Sequence, residues 1–431
     1  MSNSFNFMNR RNFLKASLIS ALASTSLGKA MAAVPVTAKL SGAPTSNSFT
    51  VVISATNTIR TYIEYGYSKS SIAGKTQSIN ISKGSAQTVT VSNLKANSLI
   101  YFRVKYAIGS SLNYASLTQQ SLKTASIQAL SSNTFAIQAD PHMDENSSGE
   151  VYDGTLKQIV AASPAFLMDL GDIFMVDKLP NKSEANIRGR FELMKGYYQK
   201  LENVPLKICL GNHDGELGYS NFNTKNYRKE YFPEQTGELA YYSFTGPDQL
   251  HVVLDPFTYT IKNPTAAGWE WTLGKTQYDW LVETLKGSKE KHKFIYIHHL
   301  LVGDPTSRGG VEIAMKNEWG GRNNDGSYGF DTYRPNWGRP VHQLLQDYKV
   351  SFVFKGHDHL YVKQELDGII YQTVPQPSHP GDKINVNQYG YTSGKGVGGS
   401  GFLKVSTIGN QAKVDFILFD GKIADSYTRT V

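Results

Sequence analysis

Beyond Asn133, five apolar runs of strand length each end on a residue that carries an oxygen or nitrogen donor: NTFAIQAD, AFLMDLGD, PLKICLGNHD, KFIYIHH and FVFKGHDH. No other feature of the chain constrains its fold as much. Short apolar runs bounded by turn residues predict strands buried on both faces. Between them lie helical patterns near Glu150 to Ala162, Lys182 to Leu201 and Pro340 to Tyr348, and the amphipathic KTQYDWLVETLKG. That alternation predicts an α/β domain, and such sheets gather ligand-binding groups in loops beyond the carboxyl ends of their strands. Six of the ten histidines fall at these stops, so the five strand ends are expected to converge.

The groups delivered there are Asp140, His142, Asp172, Asn212, His298, His357 and His359. Oxygen and nitrogen donors without a thiolate suit manganese, iron or zinc. Seven ligands are more than one ion takes from protein if it keeps an open position. Two metal ions sharing one carboxylate would use all seven, and Asp172, central in the set, is the candidate bridge. His357 and His359 would serve one ion each, with Gly356 letting the backbone turn sharply before them.

From Val34 to Thr124 the sequence is different in kind. It holds no histidine and alternates apolar with polar residues in FTVVIS, YIEYGY, TVTVSNL and YFRVKY, separated by Ser, Asn and Gly. This predicts an all-β sandwich of two packed sheets. YIEYGYS followed by VSNLKANSLIYFRVKY resembles fibronectin-type-III-like domains. The connector TASIQALSSN leads into the second domain, expected over 133 to 431 with strand-rich LYVKQELDG, IIYQTV, GFLKVSTI and KVDFILFDG at its end.

Residues 1 to 32 are expected to be removed. Arg10 and Arg11, then Phe13-Leu14-Lys15, a modest apolar run and small residues at Ala30 and Ala32 resemble a twin-arginine signal peptide, with Asn9 where Ser or Thr is more usual. Periplasmic or secreted localisation follows. Cleavage removes four basic side chains and no acid, so the formal charge of +8 falls to +4. With no later Lys/Arg run, no nucleic acid partner is expected. No later apolar stretch reaches the roughly 20 residues that span a bilayer, so no stable membrane insertion is expected. Cys209 is the single cysteine, which excludes an internal disulfide and reads as a buried hydrophobe.

ADPH, LGDI, GNHD, IHH and GHDH, in this order across Thr134 to Val374, look like the five motifs of the calcineurin-like metallophosphoesterase superfamily. The resemblance implies a four-layer αββα domain and hydrolysis of a small phosphate ester by in-line attack of metal-activated water. It implies that Asp140, His142, Asp172 and His359 hold one metal and Asp172, Asn212, His298 and His357 the other. His213 would stabilise or protonate the leaving oxygen. Asp214 either orients that imidazole or is a local turn carboxylate. A β-domain ahead of such a domain is similar to the layout of purple acid phosphatases, whose tyrosine ligand is replaced here by Met175, so a colourless centre is expected.

His299 would be a core residue or a substrate contact. The stretch from Leu301 to Pro340, dense in Gly, Asn, Arg and aromatic residues, should overhang the metals, with Arg308, Arg322, Asn323 and Tyr333 as candidate substrate contacts. His251, His292, His342 and His379 read as ordinary. A phosphodiesterase or nucleotidase is the alternative to a phosphomonoesterase, and a non-catalytic binding protein is the reading from another class.

Overall fold

The computed structural model describes residues 34–41, 44, 48–92, 94, 95, 98–124, 133–214, 240–260, 268–302, 308–381 and 389–431. The expected signal peptide lies outside the described residues. Packing divides the chain into two units, Met1–Ala125 and Ser126–Val431.

In the first unit, period-two burial decides which face of each strand is apolar. In β2 (Phe49–Ala55), β3 (Ile59–Gly66) and β5 (Leu99–Ile108) alternate residues face inward, while β1 (Val36–Leu40) buries Val36 and β4 (Ala86–Val91) buries Val89 and Val91. One sheet has the order β1-β2-β4. The other is built on the β3/β5 pair, with short strands added at its edges. Phe49, Val51 and Ile53 of the first sheet and Ile63, Ile100, Phe102 and Val104 of the second form one core, which makes a β-sandwich.

The second unit begins with β6 (Thr134–Gln138), α1 (Gly149–Ala161), β7 (Leu167–Asp169), α2 (Glu184–Gln199) and β8 (Leu206–Ile208). Ser148 and Ser183 cap the two helices by accepting from the N–H of Val151 and Asn186. Then come β9 (Tyr242–Gly246), β10 (Gln249–Val253), α3 (Lys275–Gly287), β11 (His292–Ile297), α4 (Val341–Asp347) and β12 (Phe352–Lys355). The chain ends with β13 (Tyr361–Leu366), β14 (Ile369–Thr373), β15 (Lys395–Val397), β16 (Gly401–Ile408), β17 (Gln411–Leu418) and β18 (Ile423–Thr430). One sheet has the order β8-β7-β6-β16-β17-β18 and the other β9-β10-β11-β12-β14-β13-β15.

The two sheets face each other. Phe135, Met168, Leu403 and Phe416 of one and Phe294, Tyr296, Phe352 and Phe354 of the other share a core. Helices α1 and α2 cover the outer side of the first sheet through Leu156, Ile159, Phe191 and Met194. Helices α3 and α4 cover the second through Leu281, Leu285, Leu344 and Leu345. The result is the four-layer αββα order, and it explains why β11 and β12 are buried at every position. Cys209 lies in the core between the sheets, a free and buried thiol. His251 lies there too, its two ring nitrogens paired with Tyr296 and Gln249. Burial pushes its pKa down to about 3, so it is a neutral core residue.

Candidate metal centre

Strands β6, β7 and β8 run parallel in one sheet, and β11 and β12 run parallel in the other. Their carboxyl ends therefore lie at one edge of the sandwich. Asp140 follows β6, Asp172 follows β7, Asn212 follows β8, His298 follows β11 directly, and His357 and His359 follow β12. Asp140, His142, Asp172, His357 and His359 have left-handed backbone, with φ of 56°, 51°, 57°, 71° and 60°. Non-glycine residues held there cost roughly 1 kcal/mol or more each, and such strain collects at functional sites. The chain turns too tightly at these points for any bulk nearby: a Cβ on Gly356 would lie 2.7 Å from Asp140 Oδ2, and one on Gly211 would lie 2.1 Å from the Asp172 nitrogen.

Two groups of donors result, Asp140 with His142, Asp172 and His359, and Asp172 with His298 and His357, each with its ligand atoms within 4.8 Å of one another. Asp172 is common to both. In the first group, His142 Nε2 lies 4.0 Å from Asp140 Oδ1 and 3.6 Å from Asp172 Oδ2, and His359 Nε2 lies 3.6 Å from Asp140 Oδ1. In the second, His298 Nε2 lies 3.3 Å from Asp172 Oδ2, 3.2 Å from His357 Nδ1 and 2.9 Å from Asn212 Oδ1. The Leu170 carbonyl, 2.8 Å from His298 Nδ1, can only accept, so Nδ1 carries a proton and Nε2 is turned to the cluster. Asp144 holds His142 from the other side, its Oδ2 at 3.3 Å from Nδ1.

The electrostatics show what the cluster lacks. Burial opposes charge on Asp172, but His298 and His213 outweigh it and hold its carboxyl well below the usual range. Burial raises Asp140. Burial also opposes protonation of His142 and His298, yet the surrounding carboxylates, Asp144 and Asp172 above all, lift them to about 10 and about 9. Protons on imidazoles thus balance the buried acids. His142 Nε2 is buried and has no hydrogen-bond partner among the described residues. It faces two carboxylates at separations too long for hydrogen bonds and short enough for a shared cation. The donor set fits a pair of metal ions.

His213 sits at the rim, its Nε2 4.0 Å from Asp172 Oδ2. The carboxylate beside its ring is not that of Asp214. Asp177 Oδ2 lies 2.6 Å from His213 Nδ1. Asp214 is buried and accepts from the backbone N–H groups of Asp172, Ile173, Phe174 and Gly211, which ties the loop after β7 to the loop after β8. The expectation that Asp214 orients the imidazole is thereby corrected: four main-chain donors occupy its oxygens.

The other candidates divide. His299 is buried against Phe257, Trp271 and His357, and burial drives its pKa to about 3, so it is a neutral wall and not a substrate contact. Arg308 is at the cluster, donating to the carbonyl oxygen of His357. Arg322 and Asn323 are tied within their own loop, to Gly326 and to Ser327, and Asn323 also accepts from Trp269 Nε1. Tyr333 stacks on Trp269 with centroids 4.5 Å apart. These three build the loop, around an Arg334–Glu318 ion pair, and no contact joins them to the donor cluster among the described residues.

Sequence reasoning missed Asp177, which lies in a one-turn 3-10 helix after the LGDI motif, and Arg190 of α2. Arg190 donates to the carbonyls of Phe174, Met143 and His142, clamping the loops that carry Asp172 and His142. An Asp five residues past Asp172 has no pattern that marks it. Helical periodicity places Arg190 beside the buried face but does not say which carbonyls it meets.

Two facing sheets with aspartate, asparagine and histidine donors gathered at one edge define a four-layer αββα protein with a candidate metal centre. The profile of the calcineurin-like phosphoesterases matches residues 134–361, and the chain belongs to that family. Among solved structures it is similar to PhoD, with a TM-score of 0.50 and 13% identity over 92% of this chain and 90% of that one. It is also similar to purple acid phosphatase PPD1 of yellow lupin, Lupinus luteus, with a TM-score of 0.48 and 15% identity over 91% and 74% of the two chains. GAP50, the anchor in the inner membrane complex of Plasmodium, gives 0.47 and 14% identity over 69% and 88%. No match was found among curated protein sequences. No helix among the described residues is long and apolar enough to cross a membrane.

Proposed function

We propose that this chain is an exported hydrolase of small phosphate esters that works with two metal ions, manganese, iron or zinc. One observation carries the reading: two donor groups that share Asp172, built at converging strand ends in a phosphoesterase family member. Asp140, His142, Asp172 and His359 would hold one ion and Asp172, Asn212, His298 and His357 the other. Such a pair supplies activated water and neutralises charge on the phosphoryl oxygens.

The chain's own residues do the rest. Asp140 and Asp172 supply the carboxylate oxygens of the two donor groups. The His357 N–H donates to both oxygens of Asp140, at 3.1 and 2.9 Å, and the His213 N–H donates to Asp172 Oδ1 at 2.8 Å, which fixes both carboxylates. His213, paired to Asp177 through Nδ1, presents Nε2 to the rim, where it can hand a proton to a departing alkoxide. Export rests on the twin-arginine-like residues Arg10 and Arg11. The first domain is read as fibronectin-III-like from its Leu94 and Tyr101 pattern.

The test is turnover. Protein reconstituted with manganese should release nitrophenol from p-nitrophenyl phosphate or from its bis-ester, the preferred one deciding between monoesterase and diesterase. Asp172→Ala should reduce release by roughly a hundredfold or more, whereas His213→Ala should slow an alkyl phosphate far more than p-nitrophenyl phosphate, whose leaving group needs little proton donation. Metal-replete protein that releases nitrophenol from neither ester would leave the binding-protein reading in its place.

A further inference from the structure

The mechanism above leaves one cation at the donor cluster unused. Arg308 Nη1 donates to the His357 carbonyl and stands 3.5 Å from Asp358 Oδ1. The guanidinium carbon lies 4.6 Å from the centroid of the Tyr389 ring. Asp358 is fully buried, and its Oδ1 makes no hydrogen bond among the described residues, so the carboxylate is aimed at Arg308 without being consumed by it. Its Oδ2 is held hard: Lys355 Nζ donates at 2.7 Å, the Gly309 N–H at 2.9 Å, and the Tyr391 hydroxyl also donates.

Charge decides what this arrangement offers. Lys355, itself fully buried, already neutralises Asp358. Arg308 is therefore a surplus positive charge, and its side chain is 29% exposed. Its Nε and Nη2 make no hydrogen bond among the described residues. A guanidinium presents a planar fork of N–H donors that matches two oxygens of a phosphoryl group, and fixing it beforehand on a carbonyl, a carboxylate and an aromatic face lowers the entropy lost on binding.

We infer that Arg308 is a phosphoryl-oxygen clamp beside the metal centre, and that Asp358 and Tyr389 are positioning residues that set its fork. The inference rests on the phosphoesterase reading and deepens it: the site takes an oxyanion with two free non-bridging oxygens, and one of the groups that grips it belongs to the loop after His298 rather than to any of the five motifs.

The experiment uses the manganese-loaded full chain. Binding of inorganic phosphate is measured by calorimetry, and turnover of p-nitrophenyl phosphate in parallel, with manganese content determined for each variant. Arg308→Ala should raise the phosphate Kd and the KM roughly ten- to hundredfold, the loss of a charge-assisted bidentate contact, with KM rising more than kcat falls. Arg308→Lys should recover only part, and added guanidinium ion should restore phosphate binding to Arg308→Ala in a saturable way. Tyr389→Leu, which leaves the buried Lys355–Asp358 pair intact, should raise the phosphate Kd roughly threefold. Asp358→Asn should do the same if it folds, and Tyr389→Leu keeps the test alive if it does not. Wild-type phosphate affinity in Arg308→Ala overturns the inference while leaving the phosphoesterase reading standing, as does a loss of affinity that follows a loss of manganese. A wild-type protein that neither binds phosphate nor hydrolyses an ester overturns both.

Discussion

Two carboxylates flanking His213 in structure and sequence have opposite jobs. Asp214 follows the histidine in the chain, yet its oxygens accept four main-chain N–H groups. Asp177, thirty-odd residues upstream, meets the ring at 2.6 Å. Mutation should separate the two roles. Asp177→Asn keeps the shape and weakens the hold on a protonated imidazole, so kcat on an alkyl phosphate should fall roughly ten- to hundredfold, and much less on p-nitrophenyl phosphate, whose leaving group needs little proton donation. The melting temperature should not move. Asp214→Ala strands buried N–H groups at about 1–3 kcal/mol each and should lower the melting temperature along with the rate on every ester. Equal losses of Asp177→Asn activity on both esters would show that this carboxylate does not serve proton transfer. The donors themselves were legible in the sequence because each sits at a strand stop. Asp177 and Asp358 were not, because their partners depend on which loops the fold lays side by side.

At the scale of elements, the strand ends are braced from below by a buried polar cluster. Asp169 of β7 accepts from Gln138 Nε2 of β6 and from the Tyr198 hydroxyl of α2, both at 2.6 Å, and Gln138 also donates to Tyr152 of α1 at 2.8 Å. Burial lifts the Asp169 pKa to about 7, against the pull of those hydrogen bonds. The folded protein therefore keeps a proton between about pH 4 and 7 that the unfolded chain has released. Stability from this group is complete below the lower value and is lost as pH rises through the upper one. Asn at 169 mimics the protonated acid and does not titrate. In metal-free protein the wild type should hold its own against Asp169→Asn at pH 5 and fall behind it at pH 8, by up to about 4 kcal/mol. A melting-temperature difference that is constant between the two pH values would mean that Asp169 is ionised throughout. Strand and helix placement here was readable from periodicity: the expected helices near Glu150 to Ala162 and Lys182 to Leu201 appear as Gly149–Ala161 and Glu184–Gln199. What periodicity does not report is a polar group at an inward position, since burial of Asp169 is decided by Gln138 and Tyr198, partners supplied by two other elements.

For the molecule as a whole, each unit carries its own core. Every residue assigned to metal, proton transfer or phosphate, from Asp140 to Tyr391, belongs to Ser126–Val431. That unit has three apolar layers between its sheets and helices. A chain lacking residues 1–125 should unfold cooperatively and keep its kcat/KM on p-nitrophenyl phosphate within about threefold, because nothing in the catalytic set is removed and a domain with a closed core folds by itself. The β-sandwich has a harder task. It has no disulfide, since Cys209 is the only cysteine and lies in the other unit, so one small core formed by residues such as Phe49, Ile63 and Phe102 must hold it. Domains of this size bury a smaller share of their surface and are correspondingly marginal. Residues 34–124 alone should therefore melt in one transition at a lower temperature than residues 126–431. Circular dichroism melts of the two fragments, with turnover on the larger, decide it: a larger fragment without near-ultraviolet signal or without activity would mean that its core is completed by the sandwich.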